Sequence, residues 1–508
     1  MAQAAQLNSV LQQHTWYARL VLLGGGALAP LVFAPFNVWP LALALPVLFW
    51  WLTARQAPKT AFWHGWWFGA GFFGTGISWV YFSMRAVETP VWISLVLTIA
   101  FCLAMAFLFA LQAGLPALAR RRVNLHWLIY PLLWLAFEGL RSTLFTGMPW
   151  LIWGTVATDT VLRGWLPIGG VFLVSLLLLV TAACFWQVSP ARRLTLAAPL
   201  LLILLTWGGG TLLLDRDYTE LARETPITAA ALQGNVPQDI KWQRQQIQRN
   251  LDLYEALNAE HPEADLLVWP ETAITAFPEE IQSQLEALEQ RLSDNGQGLV
   301  AGLPLWGEGR DYYNAMRGFG TASGDYNKQH LVPFGEYLPL QGLLQGLIAF
   351  FDLPMSGFSA GAAEQAPIIL NIDGEDWRLG TLICYEAAYP GLSRTQTLDT
   401  HLLVVISNDA WFGRSLAPAQ HLQITRARAI ENQRDMVRAT QNGISAVVNH
   451  HGQLMARTPQ FEAATVAGQL FLRTGTTPYQ RWGEGLVWLL STLTLLAALV
   501  LTLGLVRR

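Results

Sequence analysis

Charge is scarce in this chain. Of its 508 residues only 13% are Asp, Glu, Lys or Arg, where soluble proteins carry roughly 25%, and 53% are hydrophobic. Mean hydropathy is +0.32. The net charge of -3 provides no overall basic field and argues against nucleic acid as a partner. Cysteine is nearly absent: Cys102 and Cys184 lie in apolar runs, so no disulfide framework is expected and Cys384 is left on its own. There is no His-Glu-x-x-His motif. The adjacent His450 and His451 are expected to point to opposite sides of a strand, so no metal site and no cofactor are expected. The glycine patches Gly24-Gly25-Gly26 and Gly208-Gly209-Gly210 lack the helix start and following lysine of a phosphate loop, and read as close helix packing. The first apolar segment has no basic flank and a second follows at once, so it reads as a retained span rather than a cleavable signal.

Long apolar runs are abundant. Seven precede the middle of the chain: Leu20–Phe36, Trp39–Thr53, Phe62–Ser83, Val91–Leu118, Leu125–Phe137, Trp165–Trp186 and Thr195–Leu214. An eighth is Leu486–Val506. A membrane span needs roughly 20 apolar residues, so Trp39–Thr53 and Leu125–Phe137 are short for the purpose. With eight spans, one side collects nine basic residues: Arg55, Lys59, Arg120, Arg121, Arg122, Arg192, Arg193, Arg507 and Arg508. The short loops opposite hold three, Arg85, Arg141 and Arg163. The basic side is expected to be cytoplasmic, with both termini there and the large segment between spans seven and eight outside. The tryptophans cluster near segment ends, as in an interfacial belt.

One connection on the outer side, 138–164, is rich in polar and aromatic residues. Glu138 and Arg141, three apart, share a face if helical and can pair. They read as a structural ion pair or as part of a lipid headgroup site.

From about Asp215 charge becomes ordinary in frequency and apolar runs shorten to strand length, as in Thr228–Leu232, Leu266–Trp269, Gly298–Ala301, Ile368–Ile372, Arg378–Ile383, Leu402–Ser407 and Ala446–Asn449. Helical patterns at Lys241–Glu260, Pro278–Ser293 and Pro418–Asn432 alternate with them. An α/β domain with a largely buried sheet is expected. The polar residues from Gln423 to Arg438 read mostly as a solvated or ion-paired face. The expected division is a seven-helix membrane domain over 1–216, a catalytic domain over 217–484 and a C-terminal span over 485–508.

Three stretches in the middle domain carry chemistry. Leu266–Trp269 runs through Pro270 into Glu271; Asn327-Lys328 precedes another apolar turn; Arg378–Ile383 ends in Cys384-Tyr385-Glu386. Singly, each is a charge or thiol at a strand end. Together they are the parts of a thiol acyl-transfer site: a carboxylate to move protons, a sulfur nucleophile to hold the acyl group and an ammonium to stabilise an oxyanion.

These motifs, with Gln233-Gly234-Asn235 and the run from Ser407 to Gly413, resemble the glutamate–lysine–cysteine signature of the nitrilase (carbon–nitrogen hydrolase) superfamily over about residues 220–480. Flanked by apolar spans, the whole chain resembles the bacterial apolipoprotein N-acyltransferase branch. The resemblance implies an αββα sandwich, a catalytic triad of Glu271, Lys328 and Cys384, and supporting roles for Glu336, Tyr385, Glu386, Trp242 and Asn408. Glu336 either orients Lys328 or shares proton work with Glu271. Trp411, Glu138, Arg141, Phe350 and Phe351 are candidates for contacting substrate.

Between Glu336 and Asp352 there is no charge, and Leu340, Leu343, Leu344, Leu347, Ile348, Phe350, Phe351 and Leu353 recur at helical spacing. This reads as an arm dipping into the outer leaflet, with a buried core helix as the alternative. The implied partners are a phospholipid acyl donor, phosphatidylethanolamine preferred, and a diacylglyceryl apolipoprotein acceptor. The implied place is the bacterial inner membrane, with the catalytic domain on its periplasmic face. The alternative is a membrane-tethered amidase or lipid amidohydrolase in which water is the acceptor.

Overall fold

The computed structural model describes residues 15–86, 88–118, 126–187, 197–309, 311–333, 335–337 and 357–503. The apolar segment containing Phe350 and Phe351 lies outside these residues. The chain forms two compact units: Met1–Arg216 with Arg414–Gln423 and Trp482–Arg508, and Asp217–Gly413 with Ile424–Arg481.

The first unit is helical because its sequence is a series of long apolar runs. Its helices include Thr15–Leu28, Leu41–Thr53, Pro58–Gly76, Val91–Leu118, His126–Thr143, Leu166–Gln187, Ala197–Leu213 and Gly485–Leu503. Among the described residues three helical stretches, Thr15–Val32, Val91–Leu118 and Val161–Trp186, are long and apolar enough to cross a membrane, fewer than the segments read from the sequence. Some of the other expected spans are divided or short. The expected span Phe62–Ser83 is divided, with one helix ending at Gly76 and a short one, Val80–Arg85, following. Leu41–Thr53 and Ala197–Leu213 are 13 and 17 residues long. Glycine lets two helices meet closely: a Cβ on Gly26 would lie 2.0 Å from the Phe68 carbonyl oxygen, and one on Gly71 would lie 2.1 Å from that of Leu23.

Helix His126–Thr143 runs beyond the expected span and carries Glu138 and Arg141 inside it, both buried. Glu138 Oε1 accepts the Trp153 backbone N–H at 2.7 Å and Trp134 Nε1–H at 3.3 Å. Arg141 donates to the carbonyls of Met148, Trp150 and Leu151. Both side chains therefore brace the non-helical segment that follows their helix.

The second unit is built from strands β1 (Ile227–Gln233), β2 (Leu266–Val268), β3 (Gly298–Trp306), β4 (Tyr312–Gly320), β5 (Ala322–Ser323), β6 (Asp325–Asn327), β7 (Ile368–Ile372), β8 (Glu375–Ile383), β9 (Leu402–Ser407), β10 (Met436–Thr440), β11 (Ala446–Val448), β12 (Leu454–Arg457) and β13 (Ala464–Leu470). Six form one sheet in the order β13-β1-β2-β3-β4-β6, and seven form another, β12-β11-β10-β9-β8-β7-β5. At the centres, β1, β2 and β3 are parallel, as are β8, β9 and β10. Their near-continuous apolar sequences follow from burial on both faces.

The sheets share a core. Ala229, Ala231, Val268 and Val300 of the first meet Ile368, Leu379, Val404, Ile406 and Val437 of the second. The other face of the six-stranded sheet is covered by α1 (Arg244–Asn258) and α2 (Gln282–Asp294), through Leu251, Tyr254, Leu285 and Leu288. Against the seven-stranded sheet lies α3 (Pro390–Gln396), where a Cβ on Gly380 would come within 2.7 Å of the Gln396 carbonyl. Its C-terminal neighbour α4 (Ala417–Asn432) is tied to it by Asn432 Nδ2–H donating to Ser393 Oγ at 3.3 Å. The layers are helix, sheet, sheet, helix.

Of the two readings of the polar run, solvated or ion-paired, the structure shows ion pairing and burial: Arg428, Glu431, Arg434 and Arg438 are all buried. Arg428 and Glu431 pair at 3.2 Å, Arg438 pairs with Asp409 at 3.0 Å, and Arg434 spends its donors on backbone carbonyls. His450 and His451 do not alternate along a strand. Strand β11 ends at Val448, and a turn at Asn449, closed by Gly452 at φ +75°, brings both rings to the same side, centroids 4.1 Å apart.

Candidate active site

Strand order and register bring the candidate residues together. Glu271 lies three residues past β2 and Lys328 directly follows β6, both on the six-stranded sheet. Cys384 follows β8 and Asn408 follows β9 on the seven-stranded sheet. Parallel pairing of Ile383 with Ile406 makes Ser407 the neighbour of Cys384.

Lys328 is buried between two carboxylates. Its Nζ donates to Glu336 Oε1 at 2.8 Å and to Glu271 Oε1 at 3.1 Å. Asn314 of β4 does the same with its Nδ2–H group, to Glu271 at 2.7 Å and to Glu336 at 2.8 Å. Glu271 Oε2 accepts the Asn408 backbone N–H at 2.7 Å. Glu336 Oε2 accepts the Val332 N–H at 2.8 Å. Every carboxylate oxygen in this cluster is thus fixed by a donor, which is what a buried charge requires.

The electrostatics follow from that wiring. Burial alone would raise the Glu271 carboxyl, but Lys328, Asn314 and the Asn408 N–H hold it below the usual carboxylate range. Burial alone would discharge Lys328, but Glu271 and Glu336 outweigh it and keep the ammonium above the usual lysine range. Burial pushes the Cys384 thiol up, Glu271 adds to the effect, and Lys328 offsets only part of it. At neutral pH the pocket holds a carboxylate, an ammonium and a neutral thiol. Such a thiol becomes a nucleophile when a base removes its proton during attack.

Cys384 sits at φ +53°, in the left-handed region, at the start of a tight turn over Cys384–Ala388. Glu386 fastens this turn. Its Oε2 accepts the Ile383 N–H at 2.8 Å, and its Oε1 accepts the N–H groups of Gln329 and His330 and the Tyr326 hydroxyl at 2.7, 3.1 and 3.0 Å. One carboxyl group, pushed up to about 7 chiefly by burial, joins the cysteine turn to the segment after Lys328. Tyr385 is buried, 5.3 Å from the Tyr389 ring. Asn408 Nδ2 donates to Gln238 Oε1 at 3.0 Å. Trp411 and Trp242 are half-buried, and Trp242 Nε1 has no hydrogen-bond partner among the described residues. Glu138 and Arg141 belong to the first unit.

Three contributors were not singled out from sequence. Asn314 lies in a strand of mixed polarity with no motif around it. Lys241 is buried and makes no ion pair among the described residues; its Nζ donates to Thr272 Oγ1 at 2.6 Å and to the Glu271 carbonyl at 3.2 Å, and burial, only partly offset by the Glu271 charge, pushes it down to about 7. A lysine just ahead of a helix, where the dipole disfavours a cation, was the available signal. Gly302 of β3 is the third. A Cβ there would lie 2.6 Å from the Pro270 carbonyl oxygen and the Thr272 nitrogen, and 2.7 Å from Glu271 Cα.

A buried thiol, a fixed carboxylate and a fixed ammonium can carry out acyl transfer through a thioester. Two family models match this chain: the apolipoprotein N-acyltransferase N-terminal domain over residues 25–184, and carbon-nitrogen hydrolase over 228–477. The chain is similar to the apolipoprotein N-acyltransferase of Azotobacter vinelandii, at 41% identity over 97% of this chain and 96% of that one. It is also similar to the enzyme of that name from Pseudomonas aeruginosa, at 38% identity over 94% of each. With likeness of that degree running through both units, the chain belongs to the apolipoprotein N-acyltransferase family.

Proposed function

We propose that this chain moves a fatty acyl group from a membrane phospholipid, phosphatidylethanolamine by preference, to the α-amine of an S-diacylglyceryl-cysteine at the N-terminus of an apolipoprotein. Cys384 is the nucleophile, Glu271 the base and Lys328 the oxyanion partner. As the sulfur attacks an ester carbonyl of the donor, its proton passes to Glu271. The carbonyl oxygen takes up the electron pair beside Lys328. Collapse breaks the ester C–O bond, the leaving oxygen takes the proton back, and lyso-phospholipid departs from a Cys384 thioester. The acceptor amine then attacks this thioester and Glu271 removes its proton. Collapse returns that proton to sulfur and leaves an amide.

The observation that carries this reading is the hydrogen-bonded Glu271–Lys328–Glu336 cluster, wired by Asn314 and Asn408, whose charges act on a buried thiol. Glu336 and Glu386 serve as positioning groups: Glu336 ties the Lys328 ammonium to the Val332 backbone, and Glu386 ties the Cys384 turn to the segment after Lys328. The lipid nature of the substrates is supported by helices apolar and long enough to cross a membrane.

We read eight spans, over 1–216 and 485–508, around a catalytic domain over 217–484. The chain then lies in the bacterial inner membrane, with the domain on the periplasmic face and both termini in the cytoplasm. The excess of Lys and Arg in alternate short loops supports that orientation.

The test is intact-protein mass spectrometry after incubation with phosphatidylethanolamine and no acceptor. The expected result is one acyl mass on Cys384, labile to hydroxylamine and discharged by a diacylglyceryl-cysteine peptide. Cys384→Ala carries no adduct and transfers nothing. Release of free fatty acid in place of an adduct would identify water as the acceptor and overturn the transferase reading.

A further inference from the structure

The turn that joins β11 to β12 has a second cluster of chemically able side chains. His450 Nε2 lies 3.0 Å from Asp217 Oδ1, and His451 Nε2 lies 3.3 Å from the same oxygen. The opposite nitrogen of His450, Nδ1, lies 3.1 Å from Asp435 Oδ1. Asp435 is buried and fixed as an acceptor: its Oδ1 takes the His450 backbone N–H at 2.8 Å, and its Oδ2 takes that of Phe471 at 2.7 Å. In a neutral His450 ring the hydrogen therefore sits on Nδ1. Its Nε2 then presents a lone pair to a carboxylate oxygen, and two acceptors face each other at hydrogen-bond distance. A cation between them removes that conflict.

We propose that Asp217, His450 and His451 bind a divalent transition-metal ion of the zinc class. Two imidazole nitrogens and one carboxylate oxygen are a donor set suited to borderline metals rather than to calcium or magnesium. Bonds of about 2.0–2.1 Å in tetrahedral geometry put ligand atoms roughly 3.3 Å apart, and the two nitrogens stand 3.0 and 3.3 Å from the carboxylate oxygen. An outer shell is already in place. Asp435 orients His450, and Arg473 holds the other Asp217 oxygen at 3.2 Å, leaving Oδ1 for the metal. The Asp217 side chain is 48% exposed, so the fourth position opens to water. Asp217 is the first residue of the second unit, and a metal here ties the start of that unit to the β11–β12 turn.

The experiment uses full-length, tag-free protein in detergent, in a Cys384→Ala background so that the catalytic thiol does not compete. The protein is stripped with chelator and titrated with zinc chloride alone. Bound zinc is counted after desalting, and thermal midpoint is followed in parallel. The expected result is one equivalent retained and a midpoint raised by several degrees. The His450→Ala/His451→Ala pair should lose both effects while keeping the midpoint of the stripped parent. Asp435→Asn should weaken binding about 10- to 100-fold, because it releases the ring that presents Nε2. No retained zinc, or zinc retained equally by the double histidine variant, overturns the proposal.

Discussion

Glu336 grips Lys328 through one carboxylate oxygen and the Val332 backbone through the other. In the proposed mechanism Glu271 moves the protons and this second carboxylate anchors the ammonium to the backbone. Glu336→Gln should therefore lower the rate of Cys384 acylation about 10- to 100-fold, by letting the ammonium drift from the oxyanion position. The lipid concentration for half-maximal rate should stay nearly constant, and the pH dependence should keep its acid limb. Loss of that limb would make Glu336 a proton carrier instead. Burst-phase mass spectrometry over a pH series separates the two.

Glu271 must be ionised to take the thiol proton. Its carboxyl is held below the usual range, so acylation should rise with pH through a limb on the acid side of an ordinary glutamate and be flat by neutrality. Glu271→Gln should erase the limb and reduce the rate by roughly 10²- to 10⁴-fold. The new amide would also turn N–H groups toward Lys328, Asn314 or the Asn408 N–H, all of them donors.

Lys241 links pH to stability. Its pKa is about 7 in the fold, against 10.5 for an ordinary lysine, so the unfolded chain binds the extra proton between those values. Stability should rise with pH across that window, because burying the charged form is what costs free energy. Lys241→Met removes the titration. The midpoint of the variant relative to the parent should be highest below pH 7 and should fall as pH climbs toward 10, read by thermal unfolding in detergent. A constant difference across the series would rule out Lys241 as the source.

Gly302→Ala should disable the site without touching a polar atom. The added methyl would press on the backbone on both sides of Glu271, with contacts of 2.6–2.7 Å. An overpacking cost of about 1–3 kcal/mol is expected in stability, with a larger proportional loss in acylation because the base itself is displaced. The same substitution at Gly296, where a Cβ meets nothing, tests the backbone alone: its φ of +68° predicts a modest loss of stability and normal acylation.

What could be read from the sequence was read from apolar runs. Leu266–Trp269 and Arg378–Ile383 stand out because strands buried on both faces are continuously apolar, and the polar residue that ends each is conspicuous. The strand carrying Asn314 did not stand out. Tyr312–Gly320 mixes aromatic, polar and glycine residues, being only half-buried in places, and its central asparagine has no local mark. For Arg428, Glu431 and Arg438 the sequence leaves open a solvated or an ion-paired face, because long charged side chains are seldom buried unless paired. Their burial depends on partners such as Asp409, 29 residues from Arg438, which no window along the chain can see. The histidine pair departs from its expected alternation for a simpler reason. Side chains alternate only within a strand, and β11 ends at Val448, two residues before His450 and three before His451.

The base and the ammonium hang from one sheet, and the sulfur hangs from the other. No ladder of hydrogen bonds fixes their separation. It is set by a few discrete bonds, from Glu386 to Gln329, His330 and Tyr326 and from the Asn408 N–H to Glu271, and by the aliphatic core shared by Val268, Val300, Val404 and Ile406. A slide of about 1 Å between those faces is enough to change a rate about 100-fold. The pace of the chemistry in this pocket therefore depends on a vernier of aliphatic side chains as well as on those bonds, and it can be retuned by repacking residues that never touch a substrate.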